Sequence, residues 1–341
     1  MRRTRLALVL LLVPATLFSK GLDIYLIDMS ACTLIVTPER EAILIDCGHK
    51  MLEKRDVERI RKVVQEVAGL DRIDHLVVTH HHVDHYGAVL LLSRTVPILH
   101  FYDHGLLTEL KEDPKEFETL YPEYVEASRG KRHTLRPGDT IPLQQGTRPI
   151  SVRCLASDGK VLSQTGGANP QCTAATRRAE NRSEDAKSVV LRVEYGDFRF
   201  LHCGDLPWNQ EVQLVCPTNL VGKVDFFQTS AHGKEGSSNP VLLRSIEPTC
   251  AWMNNAPGKG GSPKVVARLK QVPGFHDAYQ LHLNSRVPKE RNTDVDLIAN
   301  LGPRKDCPGN WIRLSVTEDT KTFSMTNKRN GKTRHYPVKP K

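Results

Sequence analysis

Potential metal ligands are concentrated in one seven-residue segment, directly after a predicted β-strand. The segment reads Thr79-His80-His81-His82-Val83-Asp84-His85. Alternate side chains of an extended chain share a face, so His80 and His82 point one way, whereas Asp84 and His85 can turn towards a neighbouring centre. Because zinc prefers imidazole nitrogen and carboxylate oxygen, the spacing predicts a site for two metal ions. The alternative is a solvated histidine loop without metal.

Later strand ends carry more of the residue types that a metal site needs. Gly204-Asp205 ends one predicted strand, and the loop Ser230-Ala231-His232-Gly233 follows the next. Asp205 is a candidate for a bridging carboxylate, and His232 is a candidate for a further imidazole ligand. His282, at the end of a late predicted strand, is a further candidate to line the pocket.

The pattern of apolar residues predicts an α/β chain with two halves, each made of a sheet and helices. Three short strands with brief turns follow residue 21, and apolar residues at helical spacing predict a helix over Leu52–Val67. Residues 158–184 form a long polar loop, and long loops near sites are commonly functional. The last elements are predicted to be a hairpin of residues 311–316 and 322–326.

The segment Thr79–His85 matches the pattern T-H-x-H-x-D-H of the metallo-β-lactamase superfamily. Within it, the chain most closely resembles the secreted stand-alone relatives of the competence-protein (ComEC-type) hydrolase domain. In those proteins a strand pair ending in G-D precedes an H-H-G loop, as in Phe200–Leu206 and Ala231–Lys234 here. The resemblance implies a four-layer αββα sandwich, an α/β (α+β) fold. We therefore expect one domain over residues 22–327 and a basic C-terminal tail over 328–341.

The resemblance also implies a ligand set. It assigns His80 and His82 to the first metal, Asp84, His85 and His232 to the second, and Asp205 to both as a bridge. In the same scheme Asp84 or Asp205 is the catalytic carboxylate that orients the attacking hydroxide.

The sequence departs from the family pattern at three points. Ala231 replaces the first histidine of the H-H-G loop, Met29–Cys32 replaces a glycine-rich G-Q-G-D turn, and no histidine lies between residues 133 and 202 to complete the first centre. Asp158 and Asn181 are the candidates for the missing ligand. We expect one or two zinc ions, with a single tightly held ion or manganese as the alternatives.

The N-terminus has the layout of an export signal. Met1–Arg5 is basic, Leu6–Phe18 is almost wholly apolar, and Ser19 is small. The apolar run is shorter than the roughly 20 residues that span a bilayer. We therefore expect a signal peptide over residues 1–19, an extracytoplasmic location and no transmembrane segment beyond the leader, with an uncleaved anchor as the alternative.

The chain is basic, with a formal net charge of +9 that falls to +6 when the three arginines of the leader are removed. A basic protein suits anionic substrates, such as nucleic acid, teichoic-type polymers or lipid head groups. Because 39% of residues are hydrophobic and 26% are charged, wholesale disorder and a multi-span membrane protein are excluded.

Eight cysteines form an even set in a chain that we expect to be exported, so disulfides are plausible. Cys172, Cys216 and Cys307 lie beside prolines in loop-like sequence and are the disulfide candidates, with their pairing left open. The other five lie in apolar runs, which are typical of small buried residues: Cys32, Cys47, Cys154, Cys203 and Cys250.

Together these patterns predict a metal-dependent hydrolase that uses activated water, with a phosphodiester in an anionic polymer or small molecule as the favoured substrate. Neither a nucleophilic serine motif nor a Walker loop is present. An ester, lactone or β-lactam hydrolase is the alternative, because the same hydroxide attacks carbonyls. The second alternative is a secreted binding module with a weakened catalytic site.

Overall fold

Two large β-sheets form the centre of the molecule. The computed structural model describes residues 21–29, 31–163, 165–303 and 307–340, so the predicted signal peptide over residues 1–19 lies outside the described residues. In sheet 1 the strands are β1 (Leu22–Leu26), β2 (Thr33–Val36), β3 (Ala42–Ile45), β4 (Ile73–Val77), β5 (Ile98–Asp103), β6 (Arg132–Thr134), β16 (Ile312–Val316), β17 (Thr322–Asn327) and β18 (Thr333–Pro337). In sheet 2 they are β7 (Thr140–Ile141), β8 (Ile150–Ser157), β9 (Lys160–Val161), β10 (Val190–Tyr195), β11 (Phe198–His202), β12 (Phe226–Gln228), β13 (Cys250–Met253), β14 (Asp277–His282) and β15 (Ile298–Asn300).

Each sheet combines an antiparallel part with a parallel part. The order in sheet 1 is β18-β17-β16-β1-β2-β3-β4-β5-β6, and the strands from β3 to β6 are parallel. The order in sheet 2 is β15-β14-β13-β12-β11-β10-β8-β7, with β9 paired to β8, and the strands from β11 to β15 are parallel. The carboxyl ends of parallel neighbours meet at one edge of a sheet, which is where open α/β sheets bind ligands.

Helices cover the outer face of each sheet. They are α1 (Glu53–Arg61), α2 (Val83–Tyr86), α3 (Val89–Thr95), α4 (Pro114–Ala127), α5 (Trp208–Gln213), α6 (Pro240–Ile246) and α7 (Pro263–Leu269). A π-helical segment over Lys62–Val67 continues α1, and together the two match the helix predicted from Leu52 to Val67.

Three buried clusters define the layers. One lies between the sheets and includes Ile24, Phe200 and Trp252. A second joins sheet 1 to its helices, and a third joins sheet 2 to α6 and α7. The order helix, sheet, sheet, helix confirms the expected α/β sandwich, because each sheet buries both of its faces.

The segment over residues 328–341, expected to be a basic tail, contains a strand. Thr333–Pro337 pairs antiparallel with β17 as the edge strand β18 of sheet 1. Tyr336 is buried, and its hydroxyl donates to Asp277 at 2.6 Å. The basic residues around Tyr336 concealed this strand, because their charges face solvent while the tyrosine packs inward.

A disulfide ties down the long polar loop that follows β9. Cys172 is bonded to Cys216, so two of the three predicted candidates pair. Cys307 has a free thiol, and the five cysteines predicted to be buried are buried and free. No helix among the described residues combines the length and the apolar character needed to cross a bilayer.

Candidate metal centre

The histidine-rich loop begins where β4 ends and is fixed by a carboxylate from the neighbouring strand β3. Asp46 accepts hydrogen bonds from the backbone nitrogen of Thr79 at 2.8 Å and from its hydroxyl at 2.9 Å. It also lies 2.8 Å from Nδ1 of His85. A proton on that nitrogen leaves Nε2 of His85 free for a metal, and such a carboxylate orients the ring. The sequence did not single out Asp46, which we interpreted as the end of a strand.

One group of ligand atoms lies on the first side of the loop. His80 Nε2 is 3.0 Å from His82 Nδ1, and Asp185 Oδ1 lies 3.4 Å and 2.9 Å from these two nitrogens. Four ligands at about 2.0–2.1 Å from a tetrahedral zinc ion stand about 3.3 Å from one another. The three atoms therefore have the spacing of one face of a metal site.

Asp185 occupies the position for which the sequence offered other candidates. Asp158 is exposed and pairs with Lys160, and the Asn181 side chain accepts hydrogen bonds from Ser183. Neither side chain joins the ligand group. Asp185 lies in the short helical turn Glu184–Lys187 that leads into β10, and its charge in a polar loop gave no distinguishing signal.

A second group gathers around Asp205, which follows β11. His232 Nε2 lies 3.2 Å from Asp205 Oδ2 and 3.3 Å from Asp84 Oδ2. His85 Nε2 lies 3.6 Å from Asp205 Oδ1 and 3.7 Å from Asp84 Oδ2. Ligand atoms of His80, His85 and Asp205 also lie within 4.8 Å of one another, so Asp205 stands between the two groups.

Buried polar atoms at this centre have unused bonding capacity. His85 Nε2, Asp205 Oδ1 and His232 Nε2 are buried, and none makes a hydrogen bond within the described residues. An unsatisfied buried polar atom costs about 1–3 kcal/mol, so three together need an explanation. A metal ion would satisfy all three, and the donor set therefore fits a bound cation.

The carboxylates at the centre are ionised. Burial opposes ionisation of Asp84 and Asp205, but the nearby imidazoles of His85 and His232 outweigh it and hold the pKa of both carboxyls well below the usual range. Asp84 and Asp205 place two buried negative charges in one centre. Such charges need positive compensation, which a divalent cation would provide.

A buried network attaches the Asp185 turn to the histidine-rich loop. Glu184 Oε1 accepts from the backbone nitrogen of His81 at 3.1 Å and lies 2.5 Å from Nε2 of His104. The sequence assigned none of these three a role. Because Glu184 precedes Asp185 and His81 lies between His80 and His82, this contact sets how Asp185 faces the two histidines.

Two further parts of the sequence prediction concern the loop of Ala231 and His232 and the candidate His282. Ala231 and His232 both adopt left-handed backbone angles, with φ of 49° and 58°, and this turn brings His232 alone to the centre. His282, a candidate to line the pocket, instead lies 2.6 Å from Asp28 with its Nε2 atom, in a separate group with Cys307.

One side of the centre lies in the part of the chain that matches a known family. The model for the metallo-beta-lactamase superfamily matches residues 27–162. No curated protein sequence matches the chain significantly.

The solved structures that are similar to the chain share little sequence with it. The E377D mutant of CmlA β-hydroxylase is 14% identical, with a TM-score of 0.47 over 77% of this chain and 52% of that one. CmlA is described as a diiron β-hydroxylase from Streptomyces venezuelae. YhfI from Bacillus subtilis, a metallo-beta-lactamase fold protein, is 10% identical, with a TM-score of 0.44 over 76% of this chain and 95% of that one. The chain spans about half the length of CmlA.

The matched residues include β4, the segment Thr79–His85 and Asp46, which together form the sheet 1 side of the centre. Sheet 2 supplies the other side through Asp185, Asp205 and His232. Residues 27–162 are therefore similar to the metallo-beta-lactamase superfamily, and the two sheets between helices are consistent with its fold.

Proposed function

We propose that the chain is an exported metal-dependent hydrolase that cleaves phosphodiester bonds in anionic substrates. The observation that carries this proposal is the group around Asp205, in which three buried ligand atoms have no hydrogen-bond partner among the described residues and stand at the spacing of metal ligands. A zinc ion held by these residues would lower the pKa of a water molecule from 15.7 to about 7 and so make hydroxide available at neutral pH.

The residues of the chain then position the reactants. Asp205 lies between both ligand groups, so it is suited to accept a hydrogen bond from the attacking hydroxide as well as to bind metal. The hydroxide oxygen bonds to phosphorus, the bond from phosphorus to the leaving oxygen breaks, and that oxygen takes up a proton. The products are a phosphomonoester and an alcohol.

The choice of a phosphodiester is supported by charge. Without the leader the chain carries a formal net charge of +6, which favours association with polyanions such as nucleic acid or cell-envelope polymers. The same hydroxide attacks carboxylic esters, lactones and β-lactams, so these substrates are the comparison in any assay.

Export is supported by two features. Residues 1–19 have the composition of a signal peptide, and Cys172 forms a disulfide with Cys216. Structural disulfides persist mainly in oxidising compartments outside the cytosol.

Metal analysis and turnover test the proposal together. The purified protein is expected to contain one or two equivalents of zinc or manganese by mass spectrometry and to hydrolyse bis(p-nitrophenyl) phosphate in a chelator-sensitive way. A lactone and nitrocefin serve as comparison substrates. Bound metal with no turnover of any of the three would show a binding module instead.

Variants locate the activity at the centre. His82→Ala and Asp205→Ala are each expected to reduce bound metal and to lower kcat/KM by at least about 100-fold. His335→Ala, which changes an exposed histidine of β18, is the matched control and should behave as wild type. Full metal content and turnover in both site variants would refute the assignment.

A further inference from the structure

A lysine from the sheet 2 side reaches into the candidate centre. Lys259 Nζ lies 2.5 Å from Asp84 Oδ2, although the two residues are 175 positions apart in the chain. The side chain of Lys259 is 36% exposed, so most of it is covered. By comparison, the side chain of Lys264 is 67% exposed and pairs with Glu235, as is usual for a lysine whose ammonium group is solvated.

Backbone contacts fix the position of the loop that carries Lys259. Ala256 and Lys259 exchange two backbone hydrogen bonds of 2.9 and 3.2 Å and close a tight turn. Gly260 has a φ of 74°, and a Cβ there would lie 2.1 Å from the carbonyl oxygen of His232. Gly261 donates to that same oxygen at 2.9 Å. The backbone next to Lys259 is therefore in direct contact with the loop that carries His232, a predicted ligand.

A cation bound by Asp84 would compete with Lys259 for the charge of that carboxylate. Asp84 Oδ2, which faces the ammonium, also faces His232 at 3.3 Å and belongs to the second ligand group. If two divalent cations were bound, their charges and this ammonium would exceed those of the four carboxylates, Asp46, Asp84, Asp185 and Asp205, by about one. Lys234 adds to the excess, with its Nζ 3.7 Å from Asp205 Oδ2. Such a centre attracts an anion.

We propose that Lys259 is the specificity-determining residue of the centre and binds a non-bridging oxygen of a phosphate-type substrate. This inference rests on the proposed function and names the group that selects for negative charge. An ammonium is a compact point charge with three donors, which suits a phosphate oxygen. A neutral ester offers no such oxygen, so Lys259 contributes little to its binding.

Phosphate binding tests Lys259 without requiring turnover. Calorimetric titration of inorganic phosphate into the zinc-loaded protein is expected to give an affinity about 10- to 100-fold weaker for Lys259→Met than for wild type. Lys259→Arg keeps the charge and should recover much of that loss. Lys264→Met is the matched control and should bind phosphate as wild type does.

Kinetics provide a second readout. Lys259→Met should lower kcat/KM for bis(p-nitrophenyl) phosphate, mainly through KM, and leave that for p-nitrophenyl acetate unchanged. Its zinc content should match or exceed that of wild type, because an ammonium next to a ligand oxygen opposes cation binding.

Three results would overturn the proposal: wild-type phosphate affinity in Lys259→Met, loss of zinc from that variant, or equal losses of kcat/KM on the anionic and neutral substrates. Failure of the proposed function is a separate outcome, seen as a wild type that binds phosphate but does not hydrolyse the diester. In that case the phosphate affinities of the variants still test whether Lys259 binds the anion.

Discussion

At the scale of single residues, the sequence predicted most of the candidate centre, because its ligands follow strand ends in a dense motif. The structure brings together the six residues that the sequence singled out: His80, His82, Asp84, His85, Asp205 and His232. Asp185 and Lys259 were missed because each lies in a polar loop among similar residues. The contacts that distinguish them, with His82 and Asp84, exist only in the folded chain.

Asp185 supplies the first test at this scale. Asp185→Ala removes the one carboxylate that faces both His80 and His82 in the described first ligand group. We expect the affinity for the first metal to fall by about 100-fold or more, since losing even an outer partner of a ligand costs 10- to 100-fold. Titration with Co²⁺, followed by its absorption spectrum, should show one binding step instead of two.

The control for Asp185 comes from the same long loop. Asp158→Ala removes a carboxylate that pairs with Lys160 away from the centre. It should retain both Co²⁺ steps. Two unchanged binding steps in Asp185→Ala would remove this residue from the ligand set.

His75 in β4 makes stability dependent on pH. It is 4% exposed, and neither ring nitrogen has a hydrogen-bond partner within the described residues. Burial lowers its pKa from 6.5 to about 4. As the pH falls, the unfolded chain binds this proton at a higher pH than the folded chain does. The free energy of unfolding is therefore unaffected above pH 6.5 and falls by up to about 3 kcal/mol as the pH drops towards 4.

The substitution His75→Phe removes this proton site and keeps an aromatic ring in the core. Urea unfolding at pH 7.5 and at pH 4.5 should show that the variant loses less stability on acidification than wild type does. Acid titration of other groups affects both proteins equally and cancels in the difference. An equal loss in both proteins would show that His75 does not titrate as its burial indicates.

At the scale of secondary structure, alternating and helical patterns predicted the strands at the start of the chain and the helix after them. The charged region over residues 106–130 contains α4, which begins at Pro114. The Asp113 side chain caps that helix by accepting from the backbone nitrogen of Glu116 at 3.0 Å. The order of strands within each sheet could not be predicted, because register depends on partners far apart in the chain.

The edge strand β18 gives a prediction at this scale. Tyr336 is 5% exposed, stacks on Phe323 and bonds to Tyr279 through its hydroxyl at 2.7 Å. Tyr336→Ala should lower the free energy of unfolding by about 3 kcal/mol, as large-to-small changes in cores do. The adjacent exposed variant His335→Ala should change it by less than about 0.5 kcal/mol. Denaturant unfolding measures both, and equal small effects would mean that β18 is a dispensable tail.

At the scale of the whole molecule, the candidate centre is where the two sheets meet. His80 and His82 lie in the loop after β4 of sheet 1, and Asp84 and His85 lie in α2, which follows it. Asp185, Asp205 and His232 come from the connections of sheet 2. The sequence predicted two halves but not their contact, since no local pattern specifies how two sheets face each other. A bound cation would link the halves directly, so its effect should extend beyond catalysis.

Metal removal should therefore destabilise the entire fold. A ligand that binds only the folded state stabilises it by about 4 kcal/mol when its free concentration is about 1,000 times Kd. For a chain of this size we expect EDTA to lower the Tm of wild type by roughly 5–10 °C in calorimetry. Asp205→Ala, which lacks the carboxylate between the two ligand groups, should start at a lower Tm and shift little with chelator. Asp158→Ala should shift as wild type does. A metal-containing wild type whose Tm is indifferent to EDTA would mean that the ion does not join the two sheets.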